Sequence, residues 1–164
     1  MEASESEPRM RPLTRLLISS DVGDVSPDVR RLFDELARHQ PERRHQITGE
    51  CLPLLDVFET VDAFDLLLDV PGVPAANLRI LVKSGVVIIA GQKDRPDQSA
   101  RGHTSFHLVE RDFGRFARAV RVHAAIDAAK ATATLKDGEL RVRLPKLDER
   151  RGQPIMVPIT DAVQ

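Results

Sequence analysis

The chain has no tryptophan and no tyrosine, and six phenylalanines are its whole aromatic complement. Proteins grip single-stranded nucleic acid and sugar rings largely by stacking on aromatic faces, so this scarcity argues against both ligands. One cysteine, Cys51, stands alone, and no internal disulfide can form. Long apolar runs are missing as well: no stretch approaches the ~18 residues that a membrane-spanning helix requires. Neither sign of charge dominates, with 24 Lys and Arg against 25 Asp and Glu and a net charge of -1. The two signs are interspersed, so no basic patch offers itself to nucleic acid or to an anionic membrane. Glu2, Glu5 and Glu7 occupy the place where a signal peptide carries its positive n-region. The expectation is a cytoplasmic, reduced protein with neither nucleic acid nor membrane as partner.

What is present is ordinary for a soluble chain: 41% apolar and 30% charged over 164 residues, enough for one domain with extensions. Residues 1–50 form an N-terminal arm that differs in pattern from the rest of the chain. Its first eleven residues are polar and read as disordered. Leu13, Leu16, Leu17 and Ile18 then cluster with no evident core to join. Ser26-Pro27-Asp28 has the chemistry of a helix start: a capping hydroxyl, a proline whose missing N–H is not needed, and an acid in the first turn. Val29, Leu32, Phe33 and Leu36 follow on one helical face, which predicts an amphipathic helix over 27–38. About three turns are marginal alone in water, so this helix needs a partner surface. Residues 39–46 are polar and read as a linker.

From 51 to 146 the period changes to two. Phe64, Leu66, Leu68 and Val70 alternate with polar residues, as do Leu78, Ile80 and Val82, then Ala131, Ala133 and Leu135, then Leu140, Val142 and Leu144. Residues 86–90 are continuously apolar, as in a strand buried on both faces. Ser84-Gly85 and Asp137-Gly138 are two-residue hairpin signals, and Pro71-Gly72 breaks the chain between strands. About eight short strands at close spacing predict an antiparallel β-sandwich. Residues 94–104 are polar and rich in turn formers, and read as a long exposed loop.

No constellation here supports catalysis. Gly72, Gly85 and Gly91 have the wrong spacing for a phosphate-binding loop. His103 and His107 would share a face on a helix, but they lie in a loop and strand, where four-residue spacing has no such meaning. Cys51 lacks a flanking group that would depress its pKa. Asp65 and Asp69 are the wet side of a half-buried strand rather than an acid–base pair. Arg111, Arg115, Arg118 and Arg121 are interleaved with Glu110 and Asp112, which fits an ion-pair cluster better than phosphate recognition. The reading is a protein that is not an enzyme and has no cofactor or metal.

Beyond the sandwich, residues 147–164 form a tail, with a polar hinge before Pro154-Ile155-Met156-Val157-Pro158-Ile159. Alternation puts Ile155, Val157 and Ile159 on one face of an extended segment. The prolines keep it out of a helix and out of a central strand. Such a ribbon either fills a groove on this body or a neighbour's, or folds back as a last strand of its own domain.

Several of these segments together resemble the small heat-shock protein (alpha-crystallin) family of ATP-independent chaperones. Asp69-Val70-Pro71-Gly72-Val73 is similar to the family's Pro-Gly-Val turn. Phe113-Gly114 and Phe116-Ala117-Arg118 are similar to its Phe-Gly and Phe-x-Arg segment. Ala133 through Gly138 to Leu140 resembles its Ala-x-x-x-x-Gly-x-Leu, and Leu144-Pro145-Lys146 its closing Leu-Pro-Lys. The tail is similar to its Ile-x-Ile motif, in either of two registers, Ile155/Val157 or Val157/Ile159; the second has the family's proline-centred form. The likeness spans roughly residues 52–160. Two positions depart from it: Glu139 stands where the family usually has an apolar residue, and Val122-His123 where it has Leu-Pro.

The resemblance implies an all-β, immunoglobulin-like sandwich (the alpha-crystallin domain), with a short helical or disordered N-terminal arm and an extended C-terminal tail. It implies a homodimer building block and a larger homo-oligomer, knitted by tails that dock between two edge strands. Carried onto this chain, the recipient groove would be lined by Ile80, Val82, Ala133 and Leu135. Phe106 and Leu108 would lie on a loop exchanged between subunits, and Arg118 and Arg121 are candidates for the dimer interface. Leu13, Leu16, Leu17, Ile18, Val29, Leu32, Phe33 and Leu36 would bind unfolding client proteins. The implied function is a holdase that prevents aggregation; the alternative is a co-chaperone-type adaptor for one folded partner.

Overall fold

The computed structural model describes residues 24–39, 51–96 and 106–147. Among them one helix, α1 (Ser26–His39), precedes seven strands: β1 (Leu55–Glu59), β2 (Ala63–Asp69), β3 (Leu78–Lys83), β4 (Val86–Lys93), β5 (Gly114–Arg121), β6 (Thr132–Lys136) and β7 (Glu139–Pro145). They form two antiparallel sheets, β1-β2-β7-β6 and β3-β4-β5. The eighth strand expected from sequence is absent from the described residues. Phe106 to Phe113 carries no ladder.

The alternation read from the sequence sets the sheet faces. Leu66, Leu68, Leu140, Val142 and Leu144 turn inward from the larger sheet; Leu78, Val87, Ile89 and Phe116 meet them from the smaller one. These side chains are almost wholly buried and form the core between the sheets. Gly91 allows this closeness. It lies opposite Phe116 in the ladder, and a Cβ there would overlap the Phe116 ring and crowd Leu78.

β4 is buried along Val86–Ala90, and parity divides the run. Val87 and Ile89 join the inter-sheet core. Val86, Ile88 and Ala90 face the other way, toward α1, with Leu81, Ala117 and Ala119. Leu32 and Leu36 of the helix are buried, and Val29 and Phe33 half-buried. The partner surface that α1 requires is thus the outer face of the smaller sheet. The helix starts ahead of the expected Ser26 cap: the Val29 amide reaches the Val25 carbonyl at 2.9 Å, and the Asp24 carboxylate takes the Ser26 amide at 2.9 Å. Hydrogen bonds from Ser26 hold the Asp24 carboxyl below its ordinary pKa.

Both two-residue hairpins have the geometry their sequences predict. Ser84-Gly85 and Asp137-Gly138 have positive φ at both positions (51° and 74°; 52° and 84°), as a type I′ turn demands. The two departures from the family pattern are accommodated. Glu139 is exposed while Leu140 stays inward, and Val122 is buried and donates its amide to the Gly85 carbonyl at 2.8 Å.

Candidate functional site

The sandwich has two open sides. The segment before β1 is tied to β5, through the Cys51 amide on the Arg115 carbonyl (3.2 Å) and Arg118 Nη1 on the Pro53 carbonyl (3.2 Å). That places β1 beside β5 on one side, and leaves β3 and β6, edge strands of opposite sheets, on the other.

On the β3–β6 side the register gives each side chain its direction. Ile80 pairs with Ile89 and Val82 with Val87, so both point between the sheets. Ala133 pairs with Val142 and Leu135 with Leu140, and they too point inward. Their partners are almost wholly buried, yet Ile80, Val82 and Leu135 are half-exposed and Ala133 is exposed. Ile80, Val82 and Leu135 thus pack against the edge of the core while staying partly open to solvent, and Ala133 lies exposed beside them on β6. The four residues that the resemblance carries over to a groove lie on β3 and β6, the rim strands of the two sheets.

The β1–β5 side is also apolar at its surface. Leu52 is 66% exposed, Leu54 73% and Phe58 47%, along or just before an edge strand. Phe106, Leu108 and Val109 are likewise exposed. They line a cavity of about 300 Å³ with Arg95, Pro96, Glu110, Arg111 and Phe113. Three cations surround the Phe113 ring: Arg111 at 4.9 Å, Arg95 at 5.6 Å and Lys93 at 5.7 Å from its centroid. Sequence periodicity gave no signal for this cluster, because its members come from the two ends of the long loop.

The two arginine candidates separate. They are three residues apart on β5, so they leave opposite faces of the sheet. Arg118 lies opposite Ile89 on the inner face, and Arg121 lies opposite Val86 on the α1 side. Burial pushes the Arg118 guanidinium below its ordinary pKa, and its Nε has no hydrogen-bond partner. No ion pair to Arg118 occurs among the described residues.

A buried polar network at the base of the long loop also left no mark in the sequence pattern. Asn77 Nδ2 donates to the Gln92 carbonyl (3.2 Å) and to the Asp94 carboxylate (3.0 Å), and Gln92 Nε2 donates to the same carboxylate (2.6 Å). It fixes the end of β4, from which the loop departs.

Among the described residues no group activates the Cys51 thiol. Burial raises the Cys51 thiol pKa, which keeps the sulfur protonated at neutral pH, although Lys93 pulls the other way. Of the arm residues, Leu32 packs against the sheet with Val29 and Phe33 beside it, and Leu36 is buried. Leu13, Leu16, Leu17 and Ile18 lie outside the described residues, as do the tail residues Ile155, Val157 and Ile159, and His103.

A seven-stranded two-sheet sandwich with open rims, locked Pro-Gly and Asp-Gly turns and an inward arginine on β5 is an alpha-crystallin-type domain. The model of the Hsp20/alpha crystallin family matches residues 56–160, and the chain belongs to that family. "Heat shock protein 16" of Schizosaccharomyces pombe is 33% identical over 125 residues, covering 75% of this chain and 86% of the relative. "Small heat shock protein C4" of Rickettsia felis is 28% identical over 151 residues, covering 92% and 91%. Among solved structures, a small heat-shock protein from Xylella fastidiosa superposes with a TM-score of 0.56 at 27% identity, covering 66% of this chain and 98% of that one.

Proposed function

We propose that the protein is an ATP-independent holdase: a homodimer, assembled into a larger homo-oligomer, that binds unfolding proteins and keeps them from aggregating. The observation that carries this reading is the set of partly exposed, inward-facing apolar side chains at Ile80, Val82, Ala133 and Leu135 on the rim strands. Such a trough between two edge strands suits an extended apolar segment. This chain carries one at Ile155, Val157 and Ile159, beyond a polar hinge. Binding the unfolded state lowers its free concentration by mass action, so aggregation slows with no nucleotide involved.

The opposite side suits the dimer. Phe106 and Leu108 would leave their own sandwich and add to a partner's β1 edge, where Leu52, Leu54 and Phe58 are exposed. Arg118 supports this placement. A half-buried guanidinium with an unsatisfied Nε is unfavourable in a lone protomer, and a carboxylate arriving from the partner would relieve it. Arg118→Met keeps the length and removes the charge. The sandwich should hold its thermal midpoint or gain a few degrees, while the dimer dissociation constant rises about tenfold or more, read by analytical ultracentrifugation. An unchanged dimer would exclude Arg118 from the interface.

The client role divides along the arm. Leu13, Leu16, Leu17 and Ile18 precede α1 and are the segment proposed to hold clients. The full chain should suppress light scattering from a thermally unfolding reporter enzyme at near-equimolar ratio without ATP. Deleting residues 1–20, which leaves α1 in place, should remove at least about half of that protection without moving the sandwich's melting transition. Complete lack of suppression by the full chain, together with a monomeric mass, would favour an adaptor instead.

A further inference from the structure

The smaller sheet has an outer face that is apolar in its own right. Leu81, Val86, Ile88, Ala90, Ala117 and Ala119 line it, and the helix lies over them. Half of these are alanines, so the floor is shallow and admits the ~10 Å cylinder of a helix. A three-stranded antiparallel sheet with one wet face would show alternation, and β4 shows none. The sheet is built to be covered on this side.

The cover is lightly fastened. No ladder joins α1 to the sheet, and its apolar cluster is separate from the inter-sheet core. At its borders stand a Lys83–Asp28 ion pair at 2.9 Å and the Phe33 ring beneath Arg115 at 5.3 Å. The Lys83 side chain is 60% exposed, and exposed pairs contribute little. The helix has 14 residues, about the length below which an isolated helix is marginal. Residues 40–50 join it to the sandwich, and eleven residues reach as far as ~36–40 Å when extended. The helix can therefore leave the face while the sandwich stays closed.

We propose that α1 is a displaceable cap, and that the face beneath it binds an amphipathic helical segment of an unfolding protein. The ligand class is read from the cap itself. It has apolar side chains at the positions of Val29, Leu32, Phe33 and Leu36, an acid in the first turn to meet Lys83, and an aromatic to lie under Arg115. Partly unfolded proteins keep such helices while losing the surfaces that covered them. A second copy of this chain is the weaker occupant, because trading α1 between copies leaves every face covered. The proposal deepens the holdase reading and rests on it.

Three full-length forms test it in a Cys51→Ser background. The first is otherwise unchanged. The second carries Leu32→Asp, which loosens the cap and leaves the face beneath it unchanged. The third carries Asp28→Cys and Lys83→Cys, joined by a bismaleimide spanning ~10 Å, since the two native side chains meet end to end. The probe is a labelled peptide of residues 24–39, followed by anisotropy. Because apparent affinity scales with the open fraction, the loosened form should bind it about tenfold tighter than the unchanged form, and the crosslinked form not at all. A peptide with Val29→Ser, Leu32→Ser and Leu36→Ser should bind to none. Crosslinking should also remove at least half of the protection given to a thermally unfolding reporter, relative to the same variant uncrosslinked.

Equal peptide binding by all three forms overturns the cap. The expected peptide order with equal protection by crosslinked and uncrosslinked protein overturns the client assignment. The expected peptide order with no protection by any form refutes the client assignment through the failure of the holdase reading, with the cap still standing.

Discussion

On the proposed tail docking, replacing Val157 and Ile159 together by alanine should collapse the large particle toward dimers while leaving the sandwich folded. The double substitution removes five side-chain carbons from each tail. At ~0.8 kcal/mol per buried carbon this is about 4 kcal/mol per dock, roughly a thousandfold in its equilibrium constant. Two or three docked aliphatic side chains contribute roughly 3–9 kcal/mol gross. Ordering the tether and immobilising a subunit consumes much of that. Each proposed dock would thus be weak, and the particle would depend on many acting at high local concentration, so a loss at every dock would multiply. The proposed dimer should survive, because the β1 edge lies on the side opposite β3 and β6. Ala133→Asp should reproduce the collapse from the receiving side. Ala133 is exposed, so the carboxylate disturbs no packing, but it places a charge in the trough. Native mass spectrometry reads both. Ile155→Ala alone fixes the register: a collapse as large as the double variant's would assign the dock to Ile155 and Val157. An unchanged particle mass in the double variant rejects tail docking.

How far the sequence could be read depended on which faces meet water. Leu140, Val142 and Leu144 alternate with Glu139, Arg141 and Arg143 because one side of β7 is wet, and their inward phase was legible at once. β4 shows no alternation because α1 covers its second face. The apolar run of β4 and the unmatched stripe of α1 were both visible as needs, but periodicity carries no information on which element meets which. Ala133 was legible as inward-facing, whereas its exposure follows from β6 being an edge, a property of topology. The missing eighth strand is likewise a matter of pairing: residues near Phe106 have strand chemistry but form no ladder with any strand among the described residues. Parity alone separates Arg118 from Arg121, so their opposite faces were readable from spacing. The Asn77–Gln92–Asp94 network was not, since polar contacts across 15 or 17 residues leave no periodic trace.

Gly138→Val will produce the largest stability loss of any single turn substitution in the sandwich, for two separable reasons. Gly138 has φ +84°, a region in which a β-branched residue is strained by about 1–3 kcal/mol. In addition, a Cβ there would stand 2.9 Å from the Cα of Pro71 and 3.3 Å from its Cβ. That obstacle is mostly backbone, and it is anchored. The Val70 amide donates to the Gly138 carbonyl at 2.6 Å, and the Val73 amide to the Val70 carbonyl at 3.1 Å. The two turns thus grip each other, and relieving the clash breaks that grip. Together the two effects should cost roughly 3–5 kcal/mol, lowering the melting temperature by about 15 °C or more at fixed protein concentration. Gly72→Ala isolates the first effect. Its φ is +79°, but a Cβ there meets nothing within 4 Å, so only the backbone strain of about 1 kcal/mol should appear. Equal melting temperatures for the two variants would show that contact with Pro71 is unimportant. The functional consequence comes from position. Gly138 turns β6 into β7, and β6 carries Ala133 and Leu135. A hairpin that frays at this turn loosens the receiving trough before the central strands separate, so Gly138→Val should lose large particles at temperatures where its far-ultraviolet β signal is still intact.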